Sequence, residues 1–190
     1  FFKKTQKRTE MTKTAYVLGN KAKQSLSPRI FNFWFKQNKI KGAYKSKQIQ
    51  IKKFNKEISK LLKNKNVCGF NVTMPFKEMI INKLDKIDKH SKKIGAVNFV
   101  SKINNKWVGK NTDWIGFLNT IKKSKKTTKN NKAVVFGYGG VSKAIIYALQ
   151  KDGFKEVSVY NRSEKKIKGL SLKKGIKKIT LESAIKKMDT

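Results

Sequence analysis

The sequence is short of cysteine, histidine, arginine and acid: it has one Cys, one His, three Arg among 47 basic residues, and 11 Asp plus Glu in 190 residues. A single cysteine excludes an internal disulfide and fits a reducing, cytoplasmic setting. Cys68 lies in an apolar run, so it is expected to be a small core residue. The one histidine, His90, sits among lysines and is read as a solvated surface residue. No apolar run approaches the ~20 residues of a membrane span, so no membrane contact is expected. Residues 1–10 lack the apolar core and small-residue cleavage site of a signal peptide. Met11 followed by a strand-like run is read as the start of the folded chain, and the first ten residues are set aside as upstream sequence. No metal site is expected.

The scarcity of arginine also decides how the charge is read. The formal net charge is +36, which on its own points to nucleic acid or an anionic surface. Specific readers of bases and phosphates use arginine's planar fork, and here only Arg8, Arg29 and Arg162 are present. The lysines are spread along the chain among many Asn and Ile, as in a composition-wide drift. Nucleic acid is therefore not an expected partner, and a non-catalytic basic binding module stands as the alternative. The charge should still steer anionic small molecules inward.

Thr14 to Gly19 reads as a buried strand. Ser25-Leu26-Ser27-Pro28 opens a helix to about Asn38, with Ser27 as N-cap and Pro28 at the first helical position. Its apolar stripe is Ile30, Phe31, Trp34 and Phe35. Ser25 and Ser27 would lie at the C-terminal end of the first strand, where open α/β sheets bind ligands. Ala43 to Ile51 alternates as a less buried strand, and Phe54 to Leu62 is an amphipathic helix. Val67 to Val72 is a buried strand leading into Thr73-Met74-Pro75-Phe76-Lys77. Pro75 suits the first turn of a helix, expected over Phe76 to Leu84. Asn71 and Thr73 would project the same way from the strand end, with Lys77 half a turn into the helix beside them. An amide, a hydroxyl and an amine at one mouth suit a small polyhydroxylated ligand; a capped strand end with a solvated lysine is the plainer alternative.

Asp85 to Lys93 reads as a charged helical surface segment and Ile94 to Val100 as a strand. Asn98 lies inside that strand and must find hydrogen-bond partners. Ala96 to Lys110 looks like a hairpin. Thr112 or Asp113 could cap the helix Trp114 to Ile121. The lysine-rich stretch Lys122 to Lys132 is expected to hold a domain boundary, giving domains 11–121 and 122–190. After it, Lys132 to Phe136 is strand-like, Gly137-Tyr138-Gly139-Gly140-Val141-Ser142 follows, then a helix Val141 to Lys151 and a strand Glu156 to Tyr160. This is a minimal dinucleotide-binding βαβ unit. Gly137 allows the tight turn and Gly139 the approach of a pyrophosphate. NAD readers carry an acid after the second strand; here Asn161-Arg162-Ser163 stands there, with Lys165 and Lys166 following. A guanidinium suits a 2′-phosphate, so the expected cofactor is NADP. A further helix, Leu181 to Lys187, follows about three strands, so the second domain reads as incomplete.

Taken in order, these motifs resemble the shikimate dehydrogenase family. They are Ser25-Leu26-Ser27-Pro28 with Asn32, Asn71-Val72-Thr73 with Pro75 and Lys77, Gly95-Ala96-Val97-Asn98, Asn111-Thr112-Asp113 with Gly116, Gly137 to Ser142, and Asn161-Arg162-Ser163. The resemblance implies an α/β substrate-binding domain with a mixed sheet, followed by a truncated Rossmann-like NADP-binding domain. It implies NADPH-dependent reduction of 3-dehydroshikimate to shikimate, on the route through chorismate to aromatic amino acids. A quinate/shikimate dehydrogenase with broader cofactor use is the near alternative. By resemblance, Ser25, Ser27, Asn71, Thr73, Asn98 and Asp113 hold substrate, and Lys77 with Asp113 carries the proton transfer. Gly137, Tyr138, Gly139, Gly140, Val141, Ser142, Asn161, Arg162, Ser163 and Lys166 hold the cofactor. A homodimer is the expected assembly. Gln24, Phe99 and Tyr138 depart from the family's usual residues without removing a proposed catalytic group. The family's C-terminal part lies beyond Thr190, so this stretch alone is expected to be inactive.

Overall fold

The computed structural model describes residues 13–123, 132–168, 170 and 175–187. Two sheets account for the architecture, and the expected boundary segment between them falls mostly outside the described residues.

The first sheet has six strands in the order β2-β1-β3-β5-β6-β4. Its strands are β1 (Lys13–Gly19), β2 (Gly42–Gln48), β3 (Val67–Val72), β4 (Lys86–Ile87), β5 (Phe99–Ile103) and β6 (Lys106–Lys110). β1 runs parallel to β2 and β3, whereas β3–β5 and β5–β6 are antiparallel, so the sheet is mixed. The β5–β6 turn places Asn104 and Asn105 at φ 45° and 62°, a left-handed pair that asparagine tolerates better than most residues. Helices α1 (Ser27–Gln37) and α2 (Phe54–Lys63) carry the chain between the parallel strands. α2 buries Phe54, Ile58 and Leu61 in a core with Leu18, Phe70, Phe76 and Val97. Phe54 stacks on Phe76 at 4.7 Å between ring centroids.

Several expectations are corrected. Residues 76–84 do not form an α-helix. An α-helix would send the Ile81 N–H to the Lys77 carbonyl, but that carbonyl accepts the Val97 N–H at 2.8 Å. Ile81 N–H turns instead to Glu78 O, the short 3₁₀ pattern, and Met79–Lys83 is a 3₁₀ helix. Lys77 therefore stands in a turn. The strand expected from Ile94 starts only at Phe99, because Ile94 closes helix α3 (Lys89–Ile94) and Gly95 caps it at φ 74°. Asp88, not a longer helix, opens α3: its carboxylate accepts the Ser91 N–H at 2.6 Å, a cap worth about 1 kcal/mol. The α1 stripe is not a core stripe, since Ile30 and Trp34 are exposed. Cys68 is exposed too. It sits at the strand end remote from Asn71, in a groove lined by Lys13, Lys63, Lys65 and Lys102.

The second sheet is parallel, β7 (Lys132–Phe136), β8 (Glu156–Tyr160) and β9 (Ile176–Lys178). Helix α5 (Gly140–Lys151) crosses between the first two strands, and α6 (Leu181–Lys186) follows the third. Val135, Ile146, Leu149, Val157 and Val159 form its core. Helix α4 (Asp113–Lys123) joins the halves: Asp113 faces the first sheet, whereas Phe117 and Ile121 pack on this second core.

Candidate active site

A cleft of about 690 Å³ opens at the C-terminal ends of β1 and β3. Ser25, Ser27, Asn71, Thr73 and Asn98 all line it, so the structure gathers five of the expected residues around one space. Local chain geometry explains each placement. Gly19 ends β1 without a side chain, and a Cβ there would collide with the Thr73 methyl. The Thr73 N–H bonds to Leu18 O at 2.8 Å, extending the β1–β3 pairing to the cleft edge. Ser27 is not an N-cap, contrary to expectation; it is the first residue of α1. Its N–H is accepted by Ser25 Oγ at 3.2 Å, and the two hydroxyls lie 3.1 Å apart. Ser25, rather than Ser27, supplies the side-chain oxygen that accepts an N–H at the helix start.

Asn98 is the hub. It is 9% exposed, and its amide is fully engaged within the protein. Its Nδ2 donates to Asp113 Oδ1 at 2.7 Å and Thr112 Oγ1 at 2.9 Å, while its Oδ1 accepts the Thr112 N–H at 2.8 Å. Its carbonyl accepts the Val72 N–H at 2.8 Å and Asn71 Nδ2 at 3.3 Å. Asn98 thus ties the strand that carries Asn71 to the loop that carries Asp113. Asn111 completes the loop: buried, it donates to Ala96 O and accepts the Asp113 N–H, both at 3.0 Å.

Lys77 and Asp113 meet at the edge of this network. Lys77 Nζ lies 2.8 Å from Asp113 Oδ2, with side chains only 12% and 24% exposed. The other oxygen of Asp113 takes Asn98, so the carboxylate is held at both ends and the ammonium is held by it. Such a charge-assisted pair holds both groups in fixed positions beside the residues that line the cleft.

Two site features escaped the sequence reading. Tyr44 OH donates to Asn71 Oδ1 at 2.7 Å, and its ring stacks on Phe31 at 4.4 Å. Burial pushes its hydroxyl up to about 12. Asn32 pins the same tyrosine, its amide bonding Tyr44 N and O at 2.9 and 2.8 Å. The even-numbered face of the alternating β2 segment was the available signal for Tyr44. His90 is not a solvated residue: its Nδ1 lies 2.7 Å from Tyr147 Oη, and its ring stacks on Trp114 at 4.8 Å.

The nucleotide-type loop lies on the other side of Lys77. Gly137 takes φ 93°, and its N–H reaches Tyr160 O at 2.7 Å. The Tyr138 N–H is held by Asn161 Oδ1 at 3.0 Å, and Asn161 Nδ2 by Ser163 O at 2.7 Å. Gly139 precedes the first turn of the twelve-residue α5, and a Cβ there would meet nothing within 4 Å. This leaves the helix start, with Val141 and Ser142, open to a phosphate. Arg162, Ser163 and Lys166 are exposed just beyond β8, where a second phosphate would be read. The donors present fit a dinucleotide phosphate ester. Unlike the five cleft residues, this set does not share the cleft lining.

Fold and site together define a two-part α/β protein, a mixed-sheet half carrying a polar cleft followed by a Rossmann-like half with a glycine-rich helix start. Residues 17–100 match the family model described as shikimate dehydrogenase substrate binding domain, and residues 119–189 the model described as shikimate / quinate 5-dehydrogenase. The chain belongs to the shikimate dehydrogenase family. It is 37% identical over 171 residues to shikimate dehydrogenase (NADP(+)) of Pelagibacter ubique, covering 90% of this chain and 63% of that one. It is 41% identical over 160 residues to the Clostridium beijerinckii protein of the same name, covering 83% and 57%. The crystal structure of shikimate dehydrogenase from Aquifex aeolicus superposes with a TM-score of 0.84 at 37% identity, covering 94% of this chain and 66% of that one. That of shikimate 5-dehydrogenase from Thermus thermophilus, in complex with NADP(H) and shikimate, gives 0.77 at 28% identity, covering 90% and 64%. The chain thus spans less than two thirds of the length of these relatives.

Proposed function

We propose that the protein is an NADP-dependent shikimate dehydrogenase, reducing 3-dehydroshikimate to shikimate in aromatic amino acid biosynthesis. The observation that carries this reading is the Lys77–Asp113 pair, 2.8 Å apart at the edge of the polar cleft and beside the glycine-rich start of α5. When bound, NADPH supplies a hydride to the ketone carbon. Lys77 then donates a proton to the carbonyl oxygen as it gains charge, and Asp113 keeps the ammonium aimed. Ser25, Ser27, Asn71 and Thr73 hold the substrate's carboxylate and hydroxyls, and Asn98 holds Asp113 and lines the same space. Gly137, Tyr138, Gly139, Gly140, Val141 and Ser142 hold the pyrophosphate, with Asn161, Arg162, Ser163 and Lys166 on the 2′-phosphate side. We assign residues 11–121 to the substrate half and 122–190 to the nucleotide half, with α4 as the joint. A cytoplasmic setting is part of the reading, in keeping with the single cysteine. So is a homodimer, for which exposed Ile30, Phe33 and Trp34 on α1 offer an apolar face.

The test is shikimate-dependent reduction of NADP by the full-length protein, followed by absorbance. Lys77→Ala is expected to lower kcat by about 10²–10⁴-fold while shikimate still binds. An unchanged rate in Lys77→Ala would remove the lysine from the chemistry. Faster turnover with quinate or NAD would favour the broader quinate/shikimate enzyme.

A further inference from the structure

Gly140 is the first residue of α5, and its open side faces Lys77. A Cβ at Gly140 would stand 3.0 Å from Lys77 Cβ, 3.3 Å from Lys77 Cδ and 3.4 Å from Ala96 Cβ. The two separations from Lys77 are shorter than ordinary carbon–carbon contact, and that from Ala96 is ordinary contact. At Gly139 a Cβ would meet nothing within 4 Å, and the backbone is extended at φ −101°. The two adjacent glycines therefore answer different demands. Gly139 is open on the solvent side, where a phosphate would approach, whereas Gly140 is crowded from behind by the lysine.

The lysine has little room to retreat. Its carbonyl accepts the Val97 N–H at 2.8 Å, and its ammonium is held by Asp113 at 2.8 Å. The helix is docked on the same turn by independent contacts. Lys143 Nζ, one turn along α5, lies 2.6 Å from Glu78 Oε2, next to Lys77 in sequence. Ala144, fully buried, packs on Ala96 and Ile94. Helix α5 thus presses on the stem of Lys77 at the one place where it carries no side chain.

We infer that Gly140 is a positioning residue for the reaction, setting the stem of Lys77 so that its ammonium meets Asp113 at the cleft edge. The inference rests on the role given to Lys77 above. A methyl at position 140 pushes the stem aside by a few tenths of an ångström and swings the ammonium off its line. Misplacement on the scale of 1 Å costs about a hundredfold in rate.

In the full-length protein, Gly140→Ala should lower kcat at saturating NADPH roughly tenfold or more. Alanine suits a helix start at least as well as glycine, so the thermal midpoint should hold. Gly139→Ala should show the opposite split, raising the KM for NADPH more than it lowers kcat. In a Lys77→Ala background, Gly140→Ala should cost no further kcat, because the displaced group is already gone. A Gly140→Ala enzyme with altered KM for NADPH but wild-type kcat would overturn the inference. So would additive kcat losses in the double variant, or failure of Gly140→Ala to fold, either of which would make the contact one of packing alone. An inactive wild-type protein would instead remove the parent reading.

Discussion

Tyr44 shows how much of the site depends on residues that never face the cleft directly. Its hydroxyl donates to Asn71 Oδ1 while Asn32 grips its backbone. Tyr44→Phe leaves the Asn71 carbonyl without that donor and should cost about 1 kcal/mol of stability, with a higher KM for shikimate. The pH dependence has a definite sign. The hydroxyl is raised from 10.0 to about 12, so the unfolded chain releases its proton first. The tyrosine's contribution is complete below pH 10 and is lost as pH rises towards about 12. Denaturant unfolding across that window should show the loss in wild type and a smaller one in Tyr44→Phe. The types and order of the cleft residues were legible in the sequence, because each carries a polar group at a strand end. Which of them bond to each other was not. Asn98 read as an amide in need of partners, and only the folded loop supplies Thr112 and Asp113.

At the scale of elements, strands and long helices were legible from period and capping, and the failures lie where the chain meets partners distant in sequence or turns on a local cap. The helix expected after Pro75 gives way because the Lys77 carbonyl is taken by the Val97 N–H, and the strand expected from Ile94 is delayed because Ile94 closes α3 against its Gly95 cap. A local pattern cannot register a partner twenty residues away. His90 was misread for the same reason: its neighbours in sequence are lysines, but its neighbours in space are Trp114 and Tyr147. In the second sheet, Glu156 on β8 holds Lys177 on β9 at 2.7 Å and Lys187 beyond α6 at 2.8 Å. The hydrogen bonds from these two lysines draw the carboxyl down from 4.5 to about 2. Its folded value is depressed, so its contribution is present above pH 4.5 and lost as pH falls towards about 2. Glu156→Gln should flatten the fall of the thermal midpoint across that acid range.

For the whole molecule, the formal charge makes self-repulsion a term to reckon with. A net charge of +36 on 190 residues works against compactness at low ionic strength. Moderate salt shortens the Debye length to about 10 Å, so adding sodium chloride should raise the thermal midpoint of wild type. The same screening should lower kcat/KM for an anionic substrate by weakening its steering. A midpoint indifferent to salt would mean that the lysines lie too far apart to oppose one another. The two-part organisation was legible in the glycine-rich motif and its flanking strands, and α4 touches both halves, Asp113 pairing with Lys77 while Phe117 and Ile121 pack on the second core.

That seam also gives the protein an optical signature. Trp114 begins α4 between His90 of the first half and Tyr147 of the second, stacked on one and edge-on to the other at 5.3 Å. Trp34 is half exposed on α1 and Trp107 is buried in the first core. Of the three indoles, Trp114 is the chromophore whose emission colour and quenching depend on how the halves sit together, and it reads their separation without any attached label.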